Sequence, residues 1–378
     1  MNQKPDISVI MSVFNGEDYL EEALKSIIAQ SFKFWELIAV NDCSSDGTAD
    51  ILLKYADLDP RIKVITNEKN LKLPSSLNKA LVAAQGKYIA RMDSDDICLP
   101  DRLLKQFEYM ETHPDTDISS CRFMILKNGK AASGGGGGKT DFESVKALLL
   151  LTNPILHPGV MAKSSVLKNL RYDASLTCTE DLELWARAAS SGCKIAIQNE
   201  YLMLYRIHDK QITSTTLNRQ YKEVSEIFKK IYPEFSRALE GSLFDFYIGG
   251  IYFKDKADIK KLCKVYSVFC KVNSKAGYVK RKALRYAFFE ILAEYKRCGV
   301  STSNIIRGMI HIGITQSFAE LLFRKSRAEK DGKRCINAAA KIGYDFSGGS
   351  VRFPNFIKKK EAKIKRTFSN PRLIQYLC

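Results

Sequence analysis

No run of roughly 18 uncharged apolar residues occurs in the 378-residue chain, so the sequence offers no membrane-spanning helix. The nearest candidate, residues 305–323, is interrupted by Arg307, His311 and Glu320. The first residues, Met1 to Asp6, run directly into a strand-like segment without the apolar stretch of a secretory leader, and the expectation is a cytoplasmic protein. None of the ten cysteines forms a Cys-x-x-Cys pair, which argues against a zinc site or a disulfide framework. Cys193, Cys263 and Cys270 sit in apolar runs, so buried free thiols in a reducing compartment are expected. Collagen-like and mucin-like chains are excluded by only 22 glycines and 10 prolines. The histidines number only four, and each isolated one reads first as a structural residue.

What is present is a globular composition, 45% hydrophobic and 27% charged, long enough for roughly two domains. The net charge of +17 is unevenly spread. Residues 1–210 carry 25 Lys and Arg against 28 Asp and Glu, whereas residues 211–378 carry 34 against 14. A near-neutral front half is therefore followed by a strongly basic back half, which calls for a polyanionic partner.

The front half alternates strands with helices. Ile7–Val13 is a β-branched apolar run typical of a strand buried on both faces. Leu20, Leu24, Ile27 and Ile28 then recur at helical spacing across residues 16–30, behind an acidic first turn. Leu37–Val40, Ile62–Thr66 and Tyr88–Met92 predict three more strands, with helices across Ile51–Tyr55 and Ser75–Ala84 between them. Asp46-Gly47-Thr48 reads as a turn and cap, and Pro100-Asp101 opens a further helix. This order predicts a mostly parallel sheet with right-handed crossovers and a ligand site beyond the carboxyl ends of the strands. Polar residues stand at those ends: Asn15, Asp42, Asn67, Asp93 and Asp95. Asn128-Gly129 after residues 119–126 is a hairpin signal. The glycine run 134–138 lacks a closing Gly-Lys-Ser/Thr and reads as a flexible loop rather than a phosphate loop. From about residue 211 the chain becomes helical and basic.

Asp93-Ser94-Asp95, just past a buried strand, has the residue types to hold one divalent cation against substrate phosphates. Glu180-Asp181 precedes Leu182, Leu184, Trp185, Ala188 and Ala189, one buried helical face. Acids there either stabilise the helix dipole or supply a general base.

Taken together, these segments resemble bacterial family 2 glycosyltransferases of the GT-A fold. The matching text is Ser8–Asn15, Asn41–Thr48 and Ala90–Asp96, then His157-Pro158, Glu180–Trp185 and Tyr205–His208, in family order over residues 6–210. The resemblance implies an α/β GT-A catalytic domain, residues 1–210, followed by a basic, mainly helical region, residues 211–378. It implies a nucleotide-sugar site in which Phe14 and Asn15 meet the base and Asp42 accepts a uracil N–H, favouring UDP. Arg91, Asp93 and Ser94 would line the same site. Asp95 and His208 would hold Mn²⁺ or Mg²⁺, with Arg206 the alternative contact to the diphosphate. Asp181 would be the catalytic base of an inverting hexosyl or N-acetylhexosaminyl transfer. The implied partners are a UDP-sugar donor and a glycan or lipid-linked saccharide acceptor in surface polysaccharide biosynthesis. An anionic membrane would be met by the basic C-terminal region, at the inner face of the cytoplasmic membrane, and no nucleic acid is expected. The family often has glycine in the segment after the third strand, where this chain reads Asn70-Leu71-Lys72-Leu73-Pro74, which puts contacts from Lys72 in question.

Two other readings stand beside this one. A nucleotidyltransferase would favour a basic, glycine-rich loop after the first strand, and Ser12–Gly16 lacks it. A non-enzymatic polyanion binder would use the basic half but leave the acidic strand ends unexplained, and no RRM, KH or zinc signature appears.

Overall fold

The computed structural model describes residues 4–133, 141–209, 216–253 and 257–313. The glycine run 134–138 and the basic segment 353–372 lie outside the described residues. The first four strands, β1 (Ile7–Val13), β2 (Trp35–Asn41), β3 (Ile62–Thr66) and β4 (Tyr88–Arg91), alternate with helices α1 (Glu17–Ile28), α2 (Thr48–Leu58) and α3 (Leu73–Ala83). They pair in parallel in the order β3-β2-β1-β4, as the alternation predicts. The second strand and the second helix are longer than the apolar runs that announced them. Trp35-Glu36 joins the strand through the pairing of Ile7 with Trp35, and Thr48 opens the helix.

Beyond β4 the sheet becomes mixed. A short strand β8 (Met161–Lys163) lies antiparallel between β4 and β6 (Ile118–Lys127), and β6 pairs in parallel with β9 (Ile195–Arg206). A two-residue strand β5 (Ile97–Cys98) closes the far edge against β9. The hairpin at Asn128-Gly129 joins β6 to β7 (Lys130–Ser133), with φ values of 49° and 71° at the two turn residues. That mirror-image turn matches the strand twist. The short strands β5 and β8 carry too few residues for a period to be visible in sequence, and only pairing with β9 and β4 defines them.

Side-chain alternation along the central strands sorts the core into two faces. Ile7, Val9, Met11, Trp35, Leu37 and Ala39 join one cluster with Leu20 and Leu24 of α1 and Leu103 of α4 (Arg102–Thr112). Ile10, Ile38 and Val40 face the opposite way, toward Leu77 of α3 and Trp185 of α7 (Glu180–Ser190). The intervening helices α5 (Phe142–Leu149) and α6 (Ser164–Leu170) cover that second face as well.

After β9 the described residues form helices: α8 (Leu217–Ile231), α9 (Pro233–Ala238), α10 (Ser242–Phe246), a π-helical turn (Tyr247–Phe253), α11 (Ile259–Ala276), α12 (Arg281–Arg297) and α13 (Thr302–Ile312). Phe228, Phe269 and Leu292 of these helices belong to the same apolar cluster as Ile10 and Trp185, so the helical region packs directly on the second face. Among the described residues no helix is long and apolar enough to cross a membrane.

Two details follow from close backbone packing. A Cβ on Gly86 would lie 2.5 Å from the Ser8 nitrogen, so only glycine fits beside β1 there. Ser8 Oγ in turn accepts the Gly86 and Gln85 N–H groups and donates to Glu36 Oε1 at 2.6 Å. The expectation of uniformly buried thiols is corrected. Cys98 and Cys121 are buried, but Cys193, Cys263 and Cys270 are half-buried and Cys43 and Cys298 exposed. On α11 the neighbours Leu262 and Phe269 take the inward face, and Cys263 and Cys270 beside them are turned partly outward.

Candidate active site

A cleft of about 730 Å³ opens at the carboxyl ends of β1, β2 and β4 and is walled on the other side by the start of α7. Three non-glycine residues at its strand ends have left-handed backbones: Asn15 (φ 51°), Cys43 (φ 60°) and Lys72 (φ 70°). Such residues cost on the order of 1 kcal/mol or more and concentrate where backbone must be held for a ligand. The Lys72 conformation is one that glycine adopts freely and other residues rarely. Here Lys72 itself lines the cleft.

On the β1–β2 side, Phe14 lines the cleft and is 52% exposed, an apolar ring left open to solvent. The Asn15 N–H donates to Ser44 Oγ at 3.0 Å, and Asn15 Oδ1 accepts the Ser45 N–H at 2.9 Å, tying the two strand-end loops together. Asp46 and Glu17 complete the tie: Asp46 Oδ2 accepts the Glu17 N–H and Glu17 Oε2 accepts the Gly47 N–H. Asp42 is buried, and its Oδ1 accepts from Asn67 Nδ2 at 2.7 Å and the Leu71 N–H at 2.8 Å. Asn67 is itself fixed by Ser76 Oγ and Lys79 Nζ, so the Asp42 carboxylate is set in place by the loop after β3.

The loop after β4 gathers three carboxylates. Ligand oxygens of Asp93, Asp95 and Asp96 all lie within 4.8 Å of one another. Asp93 pairs with the guanidinium of Arg91, which is 2% exposed. Asp95 Oδ2 meets His208 Nε2 at 2.9 Å, and Asp96 Oδ1 accepts the Arg206 N–H at 2.8 Å. Burial, and then the like charge of its neighbours, pushes Asp96 well above the usual carboxylate range. Burial likewise raises Asp93, with Arg91 opposing and Asp95 adding to the rise. The buried Asp96 Oδ2 has no hydrogen-bond partner among the described residues. An all-oxygen donor set with an orphaned buried oxygen fits a hard divalent cation such as Mg²⁺ or Mn²⁺.

His208 lines the cleft on Asp95, its ring 4.9 Å from that of Tyr19. Arg206 is engaged by protein groups. It bonds the Asp95 carbonyl oxygen at 2.7 Å, pairs with Glu22 and lies 4.5 Å over the Tyr19 ring. Ser94 also lines the cleft, against Gly16, whose absent Cβ would stand 3.3 Å from Ser94 Oγ.

Opposite these groups stand the first two residues of α7. Asp181 Oδ1 accepts the Leu182 N–H at 2.7 Å and Oδ2 accepts from Asn153 Nδ2 at 2.8 Å. Burial raises its carboxyl, with those two donors opposing. Burial and then the neighbouring Asp181 push Glu180 up to about 7. Glu180 Oε2 is buried with no hydrogen-bond partner among the described residues. His157 shares the cleft wall but has a packing role: its Nε2 meets Tyr172 Oη at 2.9 Å and its ring abuts Trp185. Burial, then Arg91, holds it well below its ordinary range, so it stands neutral.

The structure thus brings Phe14, Asn15, Asp42, Arg91, Asp93, Ser94, Asp95, Asp181 and His208 to one cleft. It also places Glu180, which the sequence singled out together with Asp181, on the cleft wall with Phe123 and Tyr205, and Asp96 within the acidic cluster. Asp96 and Tyr205 lie in segments that the sequence already marked. Phe123 carried no sequence signal; it reaches the cleft through the register of β6 on β9, including the bulge at Cys121–Phe123.

Residues 8–157 match the family described as glycosyl transferase family 2. An uncharacterized glycosyltransferase of Methanocaldococcus jannaschii is 38% identical over 220 residues, 57% of this chain and 76% of the relative. The O-antigen biosynthesis glycosyltransferase WbnJ of Escherichia coli is 32% identical over 56% of this chain and 83% of its own length. Among solved structures, S. aureus TarS 1–349 aligns with a TM-score of 0.52 at 17% identity, covering 92% of this chain and 96% of that one. A structure of TarS in which the aligned part is 54% of the chain gives the same score. The fold that carries the acidic cleft and the relatives that share its sequence agree: the chain belongs to glycosyl transferase family 2 and is a GT-A-fold glycosyltransferase.

Proposed function

We propose that the protein transfers a hexosyl or N-acetylhexosaminyl group from a UDP-sugar, with inversion, to a glycan or lipid-linked saccharide in surface polysaccharide biosynthesis. The observation that carries this reading is the placement of a clustered carboxylate trio and a separate half-buried acid, Asp181, on facing walls of one cleft. Asp42, fixed by Asn67, is suited to accept a base N–H, and the exposed ring of Phe14 to stack on the base. Asp93 and Asp95 would hold a divalent cation, with Asp96 and His208 beside them. Such an ion supplies neutralisation of the charge that grows on a departing diphosphate. Arg91 orients Asp93, and Asp181 takes the proton of the acceptor hydroxyl as it attacks the anomeric carbon from the face opposite UDP. One displacement of this kind inverts the configuration. The raised carboxyl of Asp181 suits a base working near neutral pH.

Support for the donor comes from TarS 1–349, which shares the fold and is solved in complex with UDP-GlcNAc. Support for the pathway comes from WbnJ, an O-antigen biosynthesis enzyme. We place the protein in the cytoplasm, peripheral at the inner face of the cytoplasmic membrane, with the basic segment 353–372 as the membrane contact. The test is incubation with UDP-glucose, UDP-galactose and UDP-N-acetylglucosamine, with and without Mn²⁺, reading UDP release. Cation-dependent release from at least one is expected; no release from any, with release from GDP-sugars instead, would overturn the UDP assignment.

A further inference from the structure

The segment that delivers the acid pair is held from outside the α/β sheet. Glu223 of α8 is 7% exposed and points its carboxylate at three consecutive residues before α7. Its Oε2 accepts from Thr179 Oγ1 at 2.7 Å, the Cys178 N–H at 3.4 Å and Cys178 Sγ at 3.3 Å. Its Oε1 accepts from Thr177 Oγ1 at 3.2 Å and from Arg219 Nε at 3.0 Å. Thr177 and Cys178 line the cleft, and Thr179 is the residue before Glu180-Asp181. Thr179 stands at the cap position of α7 yet makes no side-chain cap bond, because its hydroxyl is given to Glu223. The segment therefore depends on a partner from another element for its order.

We propose that Glu223 is a positioning residue for sugar transfer. It clamps Thr177–Thr179, and through that segment it sets where Asp181 and Glu180 stand against the acceptor, so the helical region completes the acceptor side of the site. The proposal rests on the reading of Asp181 as base. Burial alone would favour the neutral acid, but the donors from Thr179, Cys178 and Arg219 outweigh it and hold Glu223 below its ordinary range, as an anion. The helix itself does not need this carboxylate to stay in place: Val224, Ile227 and Phe228 seat α8 on the core. Removing the carboxylate should free the segment and leave the helix docked.

The experiment compares full-length wild type with Glu223→Ala, Glu223→Gln and Asp181→Asn. Three readouts are taken: UDP binding with Mn²⁺ by calorimetry, kinetics of UDP release from the fastest of the three UDP-sugars, and iodoacetamide labelling of individual cysteines by peptide mass spectrometry. The exposed Cys298 and the buried Cys98 serve as references for labelling. In Glu223→Ala, kcat is expected to fall about 10- to 100-fold with UDP affinity and donor KM unchanged, the signature of misplaced groups rather than lost binding. Cys178, whose thiol is raised to about 11 by burial and by Glu223, should label about tenfold faster once the carboxylate is gone. Glu223→Gln keeps one accepting oxygen and should recover part of kcat. Unchanged Cys178 labelling in Glu223→Ala overturns the clamp even if none of the donors turns over. Parallel loss of UDP affinity, thermal stability and kcat also overturns it, showing general support of the fold. Wild-type turnover in Asp181→Asn sinks the base assignment instead, leaving the labelling result to judge the clamp by itself.

Discussion

Replacing Asp95 with alanine removes one of three clustered carboxylates and the partner of His208 Nε2, while the buried bond from the Arg206 N–H to Asp96 remains. The variant is therefore expected to fold and to lose the Mn²⁺-dependent part of UDP binding. Calorimetric titration of UDP with and without Mn²⁺ checks this, and equal affinities in variant and wild type would remove the cation from Asp95. Asp181→Asn should do the reverse: donor binding kept, transfer reduced about 10²–10⁴-fold, the usual cost of losing a general base. Near wild-type transfer would leave Asp181 as an acid that only stabilises the start of its helix. At this scale the sequence was readable where chemistry concentrates at strand ends, as at Asp42 and Asp93-Ser94-Asp95. It was silent on which groups are spent on each other. Arg206 and His208 stand two apart in the same motif, yet Arg206 is engaged by Glu22 and the Asp95 carbonyl, and of the two only His208 lines the cleft.

Strands β1, β2 and β3 are joined by more than their ladders, through one carboxylate on β2. Glu36 is 3% exposed and accepts from Ser8 Oγ, the Gln85 N–H and Lys63 Nζ. Burial alone would raise its carboxyl, but these three donors outweigh it and bring it below the ordinary 4.5. A group depressed on folding adds stability above its unfolded value, and that contribution is lost as pH falls through the folded value. Glu36→Gln is thus expected to lower stability at neutral pH by on the order of 1–3 kcal/mol, with the gap to wild type narrowing as pH falls below the ordinary 4.5 and through the lowered folded value. Urea unfolding at pH 7 and pH 3.5 reads both halves; a gap constant with pH would mean that packing, not charge, accounts for the loss. None of this was visible beforehand, because Ser8, Glu36 and Gln85 are far apart in the chain and only strand register brings them together. What was visible were β1, an apolar run buried almost throughout, and α1, whose buried Leu20, Leu24 and Ile27 follow period 3.6.

Over the whole molecule, the charge asymmetry and the proposed membrane contact meet in one measurement. The six cations of residues 358–366, less Glu361, would contribute on the order of 1 kcal/mol each near an anionic surface. Full-length protein is expected to sediment with vesicles containing anionic lipid, more at low salt than high, and a truncation ending at Ser350 is expected to stay in solution. Equal pelleting of both, or equal pelleting with neutral vesicles, would assign the contact elsewhere. The parallel front of the sheet was legible from alternation, whereas its far half was not, since β8 and β5 exist only through partners distant in the chain. The same distance bears on how the enzyme comes into being. The acidic loop at 93–96 receives its backbone bond from Arg206, 110 residues downstream, and β5 has no partner until β9 is present. At synthesis rates of about 5–20 residues per second, the loop emerges several seconds before the strand that braces it. Strands β1 to β4 can pair during that interval and bury the face that α1, α2 and α4 cover. A nascent chain would therefore own a sheet well before it owns a site, and the acidic cleft is acquired late, as a property of closure.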